Sequence, residues 1–452
     1  MKSLQLISTR VSALVPIMAS SIMSPLLLLP THSLANDWSA SWQHELAYER
    51  DQRQKNQSQL QLEWNHSPTD NLDITAIARL AWDGESQLYS SESHPDNYSD
   101  WNNPLLRDSH GEVALRELYL DAEWFGAYWR LGKQQVVWGQ ADGLKVLDVI
   151  TPQSFQEFIL DDFDDSRIPL WMLNVEITLS DDSNLQLLWI PDTSYHELAE
   201  AGTAFEVTSP LRVPQPPTQA TITSITVNAA DKPDHWLHDS DVGIRWSSFW
   251  KGWDLTANYF YHYRDSAVNY QTLIGEELFI QAQYQRSHLI GFTASNSFGD
   301  FTLRTEAGWY SDSYHLSESL AHDSRKGGIE HSQEFSSVVG VDWQGLTDTF
   351  ISVQWFQSFL SDYHSDITRD QQQQTITLLA ERNFANETWT AKIQGQYSLN
   401  QQDQLWRFKL THTLLSNLDL WLASDVFLGD SDGLYGQFDE RDRVLVGFEL
   451  GF

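Results

Sequence analysis

One pattern runs along most of the chain and limits what it can fold into. Apolar and polar residues alternate with a period of two, in runs of about ten. In one run Trp253, Leu255, Ala257, Tyr259, Tyr261 and Tyr263 are interleaved with Asp254, Thr256, Asn258 and His262. In another, Leu72, Ile74, Ala76, Ala78, Leu80 and Trp82 share one side. The last run ends the sequence, with Val444, Val446, Phe448, Leu450 and Phe452 against Leu445, Gly447, Glu449 and Gly451. Each run reads as a β-strand with one apolar face. So many such strands need either a large soluble sandwich or a closed barrel whose outer face meets lipid.

The connections favour the barrel. Short ones, such as 67–71, 125–127, 298–300 and 415–417, alternate with longer ones that include 84–111, 139–170 and 192–235. Outer-membrane barrels pair short periplasmic turns with longer extracellular loops. The expectation is an all-β, antiparallel up-and-down transmembrane barrel over 36–452, with both ends periplasmic and about 18 strands. Sixteen is the alternative, because the connections near 51–54 and 399–402 are short. Aromatic residues fall where interfacial girdles belong. Trp64, Trp124, Trp246, Trp253, Phe301, Trp343 and Trp389 lie beside short turns, whereas Tyr48, Trp82, Tyr263 and Trp309 lie toward the long loops.

Composition agrees. Twenty Trp, 16 Tyr and 21 Phe accompany 62 Asp and Glu, which is many aromatic rings for so acidic a chain. The excess of acid over 28 Lys and Arg leaves no basic footprint for nucleic acid. With no cysteine, thiolate metal sites and disulfides are excluded. Residues 1–35 carry Lys2 and Arg10, a mostly apolar run and Ser33-Leu34-Ala35, the pattern of a secretory signal peptide cut after Ala35. The first strand follows closely, so no plug domain is expected. The location implied is the outer membrane of a Gram-negative bacterium. Membrane lipids, lipopolysaccharide and the barrel-assembly machinery are the expected partners, with an inner-membrane transport system as a further candidate.

Catalytic patterns do not emerge, and no enzyme is expected. His196-Glu197-Leu198-Ala199-Glu200 has Glu200 where a zinc motif needs its second His. Two acidic stretches, one with Asp161, Asp162, Asp164, Asp165 and Arg167, the other with Asp430, Asp432, Asp439, Glu440 and Asp442, offer hard oxygens suited to calcium or magnesium. Neither matches a complete EF-hand loop, and solvated charge or pairing with wall arginines is the alternative. No other cofactor is expected.

The connection 139–170 stands apart. It carries Leu144, Val146, Leu147, Val149, Ile150, Phe155, Phe158, Ile159, Leu160 and Phe163. An extracellular loop does not leave that much apolar surface in water. The expectation is that it folds back into the barrel, narrows the lumen, and presents Phe155, Phe158 and Phe163 to a substrate, with Asp161–Asp165 and Arg167 as a polar edge.

The segment leading into that loop, GKQQVVWGQADGL (132–144), breaks the alternation. A bulge at Gly132-Lys133 would repair it. Trp129 and Leu131 would face out before the bulge and Val136 and Trp138 after it. Lys133 and Gln135 would face the lumen, leaving Gln134 toward lipid or a neighbouring protomer. The same segment resembles the G-[KR]-Q-x-V-x-W-G motif of a proteobacterial outer-membrane porin-like family of unknown function, with Asp148 and Thr151-Pro152 similar to the turn that follows it. The resemblance covers about 115–175. It implies a porin-like barrel, often found with lipid or hydrophobic-compound export systems, and marks the motif positions Lys133, Gln135 and Trp138 as site candidates. The function expected is a channel for small or amphiphilic molecules. The alternatives are the outer-membrane station of an export system, or an enzyme acting on envelope lipids.

Overall fold

A computed structural model describes residues 36–89, 95–215, 221–318, 320 and 324–452. The leader expected over 1–35 lies outside the described residues. Eighteen strands form the barrel. In chain order they are β1 (Asn36–Glu49), β2 (Gln52–Thr69), β3 (Leu72–Asp83), β4 (Gly111–Trp124), β5 (Ala127–Gln134), β6 (Leu170–Ser180), β7 (Ser183–Ile190), β8 (Asp241–Trp250) and β9 (Trp253–Tyr263). They continue as β10 (Arg286–Phe298), β11 (Phe301–Leu316), β12 (Ile329–Trp343), β13 (Thr349–Leu360), β14 (Gln372–Phe384), β15 (Trp389–Ser398), β16 (Gln404–Leu415), β17 (Leu418–Leu428) and β18 (Arg443–Gly451). Each pairs antiparallel with its neighbours, and β1 closes on β18 from Ser41 opposite Gly451 to Tyr48 opposite Val444. Closure of β18 on β1 leaves the barrel no free terminal strand, the condition for a sheet to cross a membrane. The alternative of sixteen strands is excluded, since Arg50-Asp51 is a true turn between β1 and β2.

The barrel is polar inside and apolar outside. Ile290 and Leu422 are 55% and 53% exposed on the outer face. Thr256, Thr293, Glu306 and Gln354 are buried on the inner one. That inversion of a soluble core suits a hydrocarbon surrounding. Tight turns close the periplasmic end. At Phe125-Gly126 both residues take left-handed conformations, φ 57° and 74°, as a two-residue hairpin turn of matching twist requires. At the other end the loops add small sheets. Ser224–Asp231 runs parallel to Glu277–Gln283, which pairs with Val268–Ile274, and Leu106–Asp108 adds to the edge of β4.

The irregular segment differs from its sequence reading. β5 keeps an unbroken register with both neighbours up to Lys133 and Gln134, so there is no bulge at Gly132-Lys133. The extra residue sits instead on the adjacent strand, where Arg116 is unmatched between Ala78–Leu115 and Ile77–Glu117. Gly132 absorbs the local distortion with φ +136°, a conformation that excludes a side chain. β5 then ends at Gln134, four residues before the alternation suggested. Val136 and Trp138 therefore do not reach lipid; both are buried inside, Trp138 to 1% exposure. Gln134 is also turned inward, its amide donating to the carbonyls of Arg130, Gly132 and Met172.

Candidate functional site in the barrel lumen

The chain leaves β5 and runs through the barrel interior over 135–169. The Thr151 hydroxyl ties the base of this loop, accepting from Val136 N–H at 3.2 Å and donating to Val136 O at 3.1 Å. Trp138 is the first anchor. Its indole N–H donates to Gln186 at 2.8 Å, and its ring meets Phe260 edge-on at 5.7 Å. Leu147, fully buried, is the second. Glycines on the facing wall make room for both. A Cβ on Gly243 would lie 2.9 Å from Trp138, and Cβ atoms on Gly291 and Gly308 would lie 2.7 and 3.0 Å from Leu147.

Polar wall residues then take the loop backbone, whose groups would otherwise be stranded. Glu306 accepts from Gln140 N–H and from Leu147 N–H, the latter at 3.3 Å. Gln354 accepts from Asp142 N–H at 3.0 Å, Gln396 donates to Gly143 O at 3.2 Å, and Tyr310 donates to Val146 O at 3.1 Å. Arg304 pairs with Asp142.

The second half of the loop crosses to β1–β3 and β16–β18. Glu157, almost wholly buried, lies between Lys55 at 2.5 Å and Arg443 at 2.6 Å. Burial alone would raise its carboxyl, but those two cations prevail and hold it at about 2. Burial, with Glu157 adding to it, pushes Asp161 up to about 7. Asp161 keeps part of its surface on the lumen water although it lies deep in the barrel. Arg407 donates to Leu160 O, and Arg116 to Asp164 O.

Beside this loop a cavity of about 370 Å³ remains. Among its lining residues Lys55, Arg79, Arg167, Arg407 and Arg443 are ion-paired. Arg116, Lys133, Lys392 and Lys409 line it without an ion pair among the described residues. Lys392 and Lys409 stand directly opposite each other on β15 and β16. Like charges so placed destabilise a sheet.

The family described as a protein of unknown function (DUF1302) matches residues 38–419. The chain belongs to the DUF1302 family. No curated protein matches it. In three dimensions this DUF1302 member is similar to Pseudomonas aeruginosa OccK8 (OprE), with a TM-score of 0.50 at 11% identity over 92% of this chain and 98% of that one. Acinetobacter baumannii OccAB1 gives a TM-score of 0.50 at 8% identity, over 92% and 96%. At such identities the likeness concerns the fold: a closed 18-stranded barrel of the Gram-negative outer membrane.

The DUF1302 match does not single out the G-K-Q motif, so the structure alone places its residues. The Lys133 ammonium reaches the cavity wall and donates to Leu115 O at 2.7 Å, while Gln135 donates to Glu117 at 2.8 Å. Asp161, Asp162, Asp165 and Arg167 also line the cavity. Trp138, Phe155, Phe158, Phe163 and Asp164 do not. Phe155 lies edge-on to His196 at 5.0 Å; Phe158 packs on Phe438 at 4.9 Å, and Phe163 lies under Lys145 at 4.6 Å. These aromatic rings hold the loop in place. The acidic residues mostly meet cations: Asp165 pairs with Arg79 at 2.5 Å, and Asp164 with Arg167. Sequence reasoning missed the wall cations Lys55, Arg116, Lys392, Lys409 and Arg443 as site residues, because each reads as an ordinary polar position of its strand.

Proposed function

We propose that this barrel is a porin-like channel that passes small amphiphilic molecules by diffusion, with a preference for a negatively charged head group. The observation that carries the reading is the cavity beside the inserted loop. The chain has 28 Lys and Arg against 62 Asp and Glu, yet basic side chains along this cavity nearly match acidic ones in number. Among the described residues four of those cations make no ion pair, and two face each other across the β15–β16 ladder. A cation that is not already neutralised by a carboxylate is available to an anion from outside.

The loop contributes shape. Most of its apolar residues are spent on the wall, and what it offers the cavity, besides Leu160 and Ile168, is mainly polar, with Glu157, Asp161, Asp162, Asp165 and Arg167 among it. An amphiphile would pass a polar constriction rather than a greasy one. Planar-bilayer recording of the purified barrel, intact and with residues 144–165 deleted, tests the reading. Steady conductance that rises on deletion is expected. Absence of conductance in both forms would overturn it.

A further inference from the structure

The barrel wall is not continuous on all sides. β4 pairs with β3 as far as Gly111, which lies opposite Trp82 of the outer girdle. Its other edge is interrupted. β5 pairs with it only as far as Lys133, opposite Leu118, and Leu106–Asp108 takes up Val113, Glu112 and Gly111. Ala114–Glu117 lie between, roughly 13 Å of strand edge with no strand beside it among the described residues. The gap coincides with the unmatched residue Arg116 and with the distorted backbone of Gly132. Side chains close it: Lys133 caps the Leu115 carbonyl, and Gln135 holds Glu117. Exposed strand edges at membrane depth are costly and are tolerated where they border a polar cavity.

A cavity lies on each side of this gap. Outside is a cleft of about 490 Å³ lined by apolar side chains, among them Leu118, Leu131, Trp101, Trp171 and Trp189. Its size falls within the ~300–1,000 Å³ of small-molecule pockets. Inside, the lumen cavity reaches Ala114, Leu115, Arg116 and Lys133. Neighbouring residues of the same two strands border both: Leu115, Arg116 and Lys133 the inner one, Leu118, Leu131 and Gly132 the outer one. Arg116 and Lys133 contact backbone carbonyls and make no ion pair among the described residues.

We propose that this interruption is a lateral port for single-chain anionic amphiphiles. The apolar tail lies in the outer cleft, against Leu131 and Trp171, while the head group is taken by Lys133 and Arg116 at the lumen side. The proposal rests on the lumen being a passage, and it adds a route between that passage and the outer leaflet. An apolar cleft abutting two cations that make no ion pair among the described residues suits an anionic amphiphile rather than a purely aqueous solute.

The absence of cysteine allows a direct test. Leu131→Cys, exposed on the outer face, is modified with a bulky maleimide to fill the cleft; Leu410→Cys, on β16, is the control. The probe is a dodecyl sulfonate with a tail diazirine, permanently charged so that it does not cross a bilayer unaided. Entry into protein-containing vesicles is expected to fall by about tenfold on modification at 131. It should be unaltered by modification at 410, and ionic conductance should be unaltered by either. Photo-adducts should form at Trp171. Entry unaffected by the plug, or adducts confined to the lumen, would overturn the proposal. Because conductance is recorded on the same preparations, failure of the channel reading shows separately, as its loss in the unmodified protein.

Discussion

Glu157 is the residue whose loss should most clearly release the loop from the lumen. Among the described residues it is the carboxylate that pairs with both Lys55 and Arg443, at 2.5 and 2.6 Å, and it is nearly excluded from water. Replacing Glu157 with Gln keeps its shape and removes its charge. Removing one partner of a buried ion pair costs ~3–5 kcal/mol, because the remaining charge stays buried and uncompensated. Here each cation keeps a second carboxylate, Glu45 for Lys55 and Asp425 for Arg443, both at 2.8 Å. The low end therefore applies, about 3 kcal/mol. That corresponds to about a hundredfold larger population of the displaced loop. Hydrogen exchange reads it directly. The Phe158 and Leu160 amides are bonded within the loop, to Phe155 O at 2.9 Å and to Glu157 O at 3.1 Å. Their protection should drop by about two decades while barrel-strand amides keep theirs. A change below about 0.5 kcal/mol at both amides would refute the view that this ion cluster, rather than the apolar anchors, fixes the second half of the loop.

The pH response should centre on Asp161, whose folded carboxyl sits near 7 against an ordinary value near 3.8. The folded state holds that proton more tightly, so its contribution to stability is full below the ordinary range and is lost as pH rises through about 7. Anion permeability, measured by reversal potentials, should fall over the same rise, and Asp161→Asn should flatten the curve. Trp138→Ala should weaken the first half of the loop by ~3–5 kcal/mol through the cavity it leaves, read as faster exchange over 136–150 with barrel closure intact. Replacing Lys392 and Lys409 together with Gln should lower the anion-to-cation permeability ratio several-fold while removing the like-charge pairing across β15–β16; an unchanged ratio would remove these lysines from the permeation path.

The barrel was legible because each strand must satisfy two solvents at once. The run Trp253–Tyr263 shows it: Tyr259 and Tyr261 go to lipid while Thr256 and Asn258 go inward, and the chain can meet that demand only by alternating. Strand number was less legible, since Arg50-Asp51 looks like any other polar pair until the register of β1 and β2 is known. The GKQQVVWG segment was misread for a physical reason. A broken alternation says that a ladder is irregular, not on which strand the extra residue lies, and here the neighbouring strand carries it at Arg116.

The lumen contacts were hidden for a different reason. The apolar content of 139–170 signals that the loop must be buried, but not against what. Its partners come from far along the chain: Arg443 for Glu157, Glu306 for Leu147, Gln396 for Gly143. On their own strands these are ordinary inward-facing polar residues. Gly243, Gly291 and Gly308 read locally as weak points of a strand, because glycine there forfeits packing. Their role appears only when Trp138 and Leu147 fill the space they leave. The wall is thus shaped to accept one particular loop, with polar groups set for its backbone and hollows set for its anchors. Such a wall fixes the constriction as firmly as a separate plug would, and it leaves the acidic and basic groups of the second half as the part of the loop that solution conditions can move. Permeation should therefore respond to the charge at Glu157 and to pH at Asp161 far more than to temperature-dependent loosening of the Trp138 anchor, and a channel whose conductance followed the anchor instead would contradict this division.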